Sequence, residues 1–193
     1  VNTKHHADGR DEIIHLIATH YKLEIPYRRM YAYTFEEART LVADKKYDTL
    51  LEGLLDSYKA LENDYDFVLC LGTDFESDSA ALELELNVEI ANNISCPVLM
   101  IANAHQGSIE GVVRSCRFAI ESFEEKGSKI LSLIVNRTPA KLQREMLQAL
   151  REKLQREIEL IYSIPFEETL DRPTMAEIAR ALDAKVIYGK AQL

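Results

Sequence analysis

Three short apolar runs, 67–71 (FVLCL), 97–102 (PVLMIA) and 130–135 (ILSLIV), recur at intervals of about 30 residues, and this recurrence constrains the fold more than any other feature. None of the three alternates apolar with polar residues, which is the pattern of strands buried on both faces of a parallel sheet. The segments between them have helical spacing. Leu82, Leu86 and Ile90 lie four apart within 81–92, and Ile109, Val113 and Ile120 fall along one side of 109–123. The repeating unit is therefore βαβ, and the expected fold class is α/β, a three-layer, doubly wound, mostly parallel sheet.

The pattern continues to the end of the chain. In 139–156 Leu142, Met146, Leu150 and Leu154 form an i, i+4 stripe suited to packing on a sheet. A short strand is expected at 158–164, a helix over 175–182 started by Arg172-Pro173-Thr174, and a last strand at 184–188. That makes five late strands. The first 65 residues differ, with helices expected over 10–21 and 35–58, the second opened by Thr34 and Glu37 at capping-box spacing. Tyr27, Tyr31 and Tyr33 sit between these helices, where an aromatic cluster is expected to cover the sheet edge. With no repeat, linker or low-complexity tract, residues 1–193 read as a single domain, mainly helical over 1–64 and a βαβ core over 65–193.

A chain of 193 residues, 47% hydrophobic, can bury one good core. Its formal charge of −9 argues against duplex DNA and anionic membranes, both of which select basic patches. No stretch reaches the roughly 18 to 20 apolar residues of a membrane span, and no charged segment followed by an apolar one opens the chain as a leader would. Cys70, Cys96 and Cys116 are odd in number and set in apolar or helical surroundings, which suits reduced thiols and a cytoplasmic location. The chain opens on Val1 rather than Met, so further residues upstream are expected.

In open parallel sheets ligands bind beyond the carboxyl ends of the strands, where loops and helix N-termini converge. The loops to watch are Gly72-Thr73-Asp74-Phe75, Asn103-Ala104-His105-Gln106-Gly107-Ser108 and Asn136-Arg137-Thr138-Pro139. The candidate ligand-binding residues are Gly72, Thr73, Asp74, Asn103, Asn136 and Arg137. Asp74 could hold Mg²⁺ through water, although a lone carboxylate equally serves as a helix cap or turn residue. Asn136 carries the donor and acceptor that suit a purine edge, and it is also a turn former ahead of Pro139. No G-x-x-x-x-G-K-[ST] segment occurs, so nucleotide hydrolysis by that route is not expected of these residues. His5, His6 and Asp8 read as a solvated terminus rather than a metal site, and no G-x-S-x-G elbow or Cys–His pair is present. The expectation is accordingly no catalytic residues and no metal site.

The stretch 65–104, YDFVLCLGTDFESDSAALELELNVEIANNISCPVLMIANA, resembles the N-terminal domain of long, multidomain bacterial phosphate acetyltransferases, itself similar to dethiobiotin synthetase. The features that carry the resemblance are a strand followed by Gly72, the Leu86-Asn87 and Glu89-Ile90-Ala91 helix, the strand at Pro97, the Ile134-Val135-Asn136 strand end, and Ile164-Pro165 before Arg172. It implies a P-loop NTPase-like fold whose first strand and phosphate loop, expected before Val1, are missing. Asn136 follows an apolar strand in a position where related nucleotide-binding folds use an Asn amide to read a purine. Leu71 stands where the resemblance leads to Glu, which removes an acidic group near any Mg²⁺.

The implied parent exchanges acetyl between coenzyme A and phosphate in acetate metabolism, with catalysis in a C-terminal domain of the same polypeptide. This domain would then be regulatory or assembly-promoting, homo-oligomeric, without a certain cofactor, and with room for a vestigial nucleotide or metabolite site. The alternatives are a fragment of a dethiobiotin-synthetase-type ATP-dependent enzyme, or a domain that only mediates oligomer contacts through its N-terminal helices.

Overall fold

In the computed structural model the described residues are 11–72, 80–105, 107–154, 158–182, 184–185 and 187–188. The chain divides into two compact units, Val1–Val98 with Ala119–Ile130, and Leu99–Phe118 with Leu131–Leu193. Helix α5 (Ile109–Glu125) runs from the second into the first.

The first unit is helical. Helix α1 (Glu12–His20) starts where the Asp11 side chain accepts hydrogen bonds from the N–H groups of Ile13 and Ile14, both at 3.0 Å. Helix α2 (Phe35–Ala43) opens on the expected capping box: Thr34 N–H donates to Glu37 Oε2 at 2.8 Å and Glu37 N–H donates to Thr34 Oγ1 at 3.3 Å. These bonds hold the Glu37 carboxyl below its ordinary range, the backbone N–H of Thr34 contributing most. Thr34→Ala is expected to destabilise this unit by about 1 kcal/mol in urea denaturation; an unmoved midpoint would mean that the cap adds nothing.

The single helix expected over 35–58 is instead two, because Lys45 adopts a left-handed φ of 58° and Lys46 N–H reaches back to Leu41 C=O at 2.8 Å. Helix α3 (Tyr47–Glu62) follows, and α4 (Ala80–Asn93) matches the helix read at 81–92. Ala38, Leu50 and Leu86 from α2, α3 and α4 form the core of this unit, with Tyr33, Leu54 and Ile90 packed on it. Tyr33 is thus an internal packing residue whose hydroxyl donates to Thr49 C=O at 3.1 Å, and the Tyr27 hydroxyl accepts from Asp11 N–H at 2.7 Å. The sheet-edge role expected for these tyrosines gives way to these contacts within the helical unit. Residues 67–71 form no ladder, and Phe67, Leu69 and Leu71 are 80%, 73% and 61% exposed. An apolar run is a strand only where a neighbour takes up its N–H and C=O groups.

The sheet lies in the second unit. Strands β1 (Val98–Asn103), β2 (Ile130–Thr138) and β3 (Leu160–Pro165) form one parallel sheet in the order β1-β2-β3, with helices flanking it. Ser132 pairs with Leu160 and Val135 with Ser163. Helix α6 (Gln143–Leu154) packs on β3, and the stripe read from sequence is its inner face, with Met146, Leu150 and Leu154 fully buried. Leu133, Val135 and Ile161 are buried from the strand side.

The opposite face departs from expectation. Leu99, Ile101, Tyr162 and Ile164 stay exposed, so the outer strands β1 and β3 show one face to solvent, whereas the central β2 buries Ser132 and Leu133 in succession. Helix α7 (Met175–Ala181) begins with a second capping box between Thr174 and Glu177. The strand expected at 184–188 is absent among the described residues there, and Ile187 and Tyr188 project into solvent.

The three cysteines are free thiols. Burial in α5 pushes the Cys116 thiol up to about 11 from an ordinary value of 9.0. A folded state that holds this proton more tightly than the unfolded chain keeps its full advantage below pH 9 and loses it as pH rises from about 9 to about 11. Stability measured by urea titration should therefore fall across that window, and Cys116→Ala should flatten that component of the slope; an identical slope in the variant would contradict the assignment.

Candidate functional site

The carboxyl ends of the three parallel strands meet in the second unit. At the end of β1, Asn103 turns its amide oxygen back onto the N–H of His105 at 3.0 Å, and Ala104 N–H donates to Asn136 C=O at 2.9 Å, which ties the β1 loop to β2. At the end of β2, three residues are spanned between Val135 and Thr138 while β3 advances only two, from Ser163 to Pro165. This is a bulge of one residue, a device that re-aims side chains at sheet rims. Arg137 occupies it with a left-handed φ of 59°, a conformation that costs a non-glycine residue of order 1 kcal/mol and clusters at functional positions. Asn136 Oδ1 accepts from Arg137 N–H at 2.8 Å and helps hold that turn.

The rim of β3 completes the arrangement. Phe166 N–H donates to Thr138 C=O at 2.8 Å, Ser163 Oγ donates to the buried Thr138 hydroxyl at 2.9 Å, and Gln143 Nε2 donates to Ser163 C=O at 3.1 Å. The Phe166 ring is thereby fixed between two groups. The His105 ring lies 4.3 Å from it, tilted by 43°, and the Arg137 guanidinium carbon lies 5.3 Å from its centre. Both contacts fall within the range of aromatic and cation–π attraction. The nearby Glu167 carboxylate accepts from the hydroxyl and N–H of Thr169, which hold its pKa below the ordinary range.

Of the residues singled out from sequence, Asn103, Asn136 and Arg137 share this ledge. Gly72 belongs to the first unit, where a Cβ on it would approach Asn87 Oδ1 at 3.1 Å. Thr73 and Asp74 lie outside the described residues. His105 lies in one of the three loops but carries no mark of its own, and Phe166 has no sequence signal; a residue 61 positions from His105 is brought to it only by strand order. No group of three or more His, Cys, Asp or Glu side chains converges among the described residues. Nor is any helix among them long and apolar enough to cross a membrane.

Residues 3–174 match the family model described as an AAA domain. The chain is 40% identical over 189 residues to a phosphate acetyltransferase of Nitratidesulfovibrio vulgaris, an alignment covering 96% of this chain and 27% of that protein. It is 29% identical to a phosphate acetyltransferase of Synechocystis, covering 98% of this chain and 26% of that protein. A phosphate acetyltransferase of Nitrosomonas europaea aligns at 17% identity over 76% of the chain and 22% of its own length. The chain thus spans about a quarter of the length of the curated relatives it matches. No solved structure matches it significantly. The family match over 3–174, with which the parallel sheet and its flanking helices agree, places the chain in the AAA-domain family, a P-loop NTPase-like family.

Proposed function

We propose that these residues form a non-catalytic regulatory or assembly domain of a phosphate acetyltransferase, N-terminal to a catalytic domain in the same cytoplasmic, homo-oligomeric polypeptide. The observation that carries this reading is the near-complete alignment of the chain, 96% of it, with only 27% of a relative named for that activity. An alignment of this shape fits an accessory part of the enzyme. The chemistry of the ledge agrees with that role. Among the described residues it holds amides, a guanidinium and rings, with no nucleophile placed beside a base. It is suited to holding a ligand.

The test compares the intact polypeptide with one lacking residues 1–193, measuring acetyl-phosphate formation from acetyl coenzyme A and phosphate. Residual turnover with altered mass or altered response to metabolites is expected for the shortened protein. Acetyl-phosphate formation by the isolated chain, or ATP turnover by it, would overturn the proposal.

A further inference from the structure

Helix α7 is 7 residues long, and a helix of that length does not hold in water on its own; it persists where its apolar face is packed on something. Its start is well made. Thr174 N–H donates to Glu177 Oε2 at 2.6 Å and Glu177 N–H to Thr174 Oγ1 at 3.2 Å, and the ladder continues with Ile178 N–H to Thr174 C=O and Leu182 N–H to Ile178 C=O, both at 3.0 Å. Met175, Ile178 and Leu182 stand at i, i+3 and i+7 and so share one side of the helix. That side is largely uncovered. Met175 is 67% exposed and Leu182 73%, with Leu170 ahead of the helix and Ile187 and Tyr188 after it also in solvent. In the same unit the stripe of α6 is fully buried, so the apolar face of α7 lacks the cover that its neighbour has.

Helix α7 also stands apart in what it is shared with. The family match ends at residue 174, one position before it. The alignment with the Nitratidesulfovibrio protein runs further: a coverage of 96% leaves only about eight of the 193 residues outside it, fewer than follow α7. The helix is therefore common to proteins of which this chain spans about a quarter, while it lies outside the stretch that defines the family.

We propose that the apolar face of α7 docks on residues of the same polypeptide that lie beyond Leu193, which makes α7 the joint between this domain and the next. This rests on the reading of the chain as the N-terminal part of a longer enzyme. A second copy of the chain is the poorer occupant, because a stable interface between separate molecules takes about 20 to 30 residues a side, far more than a two-turn helix supplies. A tethered partner needs less contact, since the connection holds it at an effective concentration of about millimolar.

The experiment places the photocrosslinking residue benzoylphenylalanine at position 182 of the intact polypeptide and maps the linked peptides by mass spectrometry after irradiation. The expected result is an intramolecular link from 182 to a peptide beyond residue 193, absent when the probe stands instead at the exposed position 151 on α6. In the same polypeptide Met175→Glu should speed hydrogen exchange at the Ile178 and Leu182 amides about tenfold, and Met175→Leu should not. Glutamate suits the first turn of a helix, so that loss reports the contact and not the helix itself. No link from 182, links only within residues 1–193, a crosslinked pair of copies, or exchange unmoved by Met175→Glu would overturn the docking and leave the functional reading untouched. Acetyl-phosphate formation by the isolated chain would overturn the functional reading and leave the crosslink as it stands.

Discussion

Replacing Leu150 with alanine is expected to lower the stability of the second unit by about 3 kcal/mol, toward the middle of the range for buried Leu truncations. Leu150 is fully buried on the face of α6 that packs on β3, between Met146 and Leu154, both equally buried. Four residues per step keeps all three on one side of the helix, so the lost volume opens inside a layer of close-packed side chains rather than at an edge. The charged residues of the same helix, such as Arg151 and Lys153, are exposed and should tolerate alanine within about 0.5 kcal/mol. The contrast is the measurement: hydrogen exchange across α6 and β3 should accelerate in Leu150→Ala and stay unchanged in Lys153→Ala. Equal behaviour of the two variants would mean that α6 is not the cover of this sheet face.

The second large effect belongs to the first unit. Gly53→Val should destabilise it by about 2 kcal/mol or more, because a Cβ at position 53 would lie 1.9 Å from the Tyr33 hydroxyl oxygen and 2.7 Å from the ring carbon that bears it. No rotation of the new side chain relieves a clash made by the Cβ itself, so Tyr33 has to leave. Its departure breaks the bond to Thr49 C=O and uncovers the cluster of Ala38, Leu50 and Leu86. The loss exceeds what better helix propensity at position 53 returns, about 0.5 kcal/mol for a β-branched residue. Tyr33→Leu in the Gly53→Val background should recover part of the stability, giving a coupling of about 1 kcal/mol in a double-mutant cycle. Strict additivity would contradict the contact.

Much of the second unit was legible because its signals are local. The stripe Met146, Leu150, Leu154 and the apolar runs at 97–102 and 130–135 announce a helix face and two strands without reference to anything distant, and the strands observed are 98–103 and 130–138. Helix starts were legible for the same reason, from the capping-box spacing of Thr34 and Glu37 and from Pro173 ahead of α7.

What failed depended on partners. The run at 67–71 is as apolar as the others, but a strand is a property of a pair, and no ladder forms on it. The break at Lys45 was hidden because a left-handed lysine has no compositional mark, unlike glycine. The ledge was half visible. Asn103, Asn136 and Arg137 follow from the rule that ligands gather at strand ends, whereas the placing of Phe166 between His105 and Arg137 needs the register of β2 with β3. The bulge at 136–137, which aims Arg137, is likewise invisible without that register.

We propose that the strand ends of β1, β2 and β3 hold a ligand. Hydrogen exchange of the intact polypeptide with and without saturating AMP tests it directly. Protection confined to 103–105, 136–139 and 163–167 is the result expected. Protection elsewhere with these three segments unchanged would contradict it.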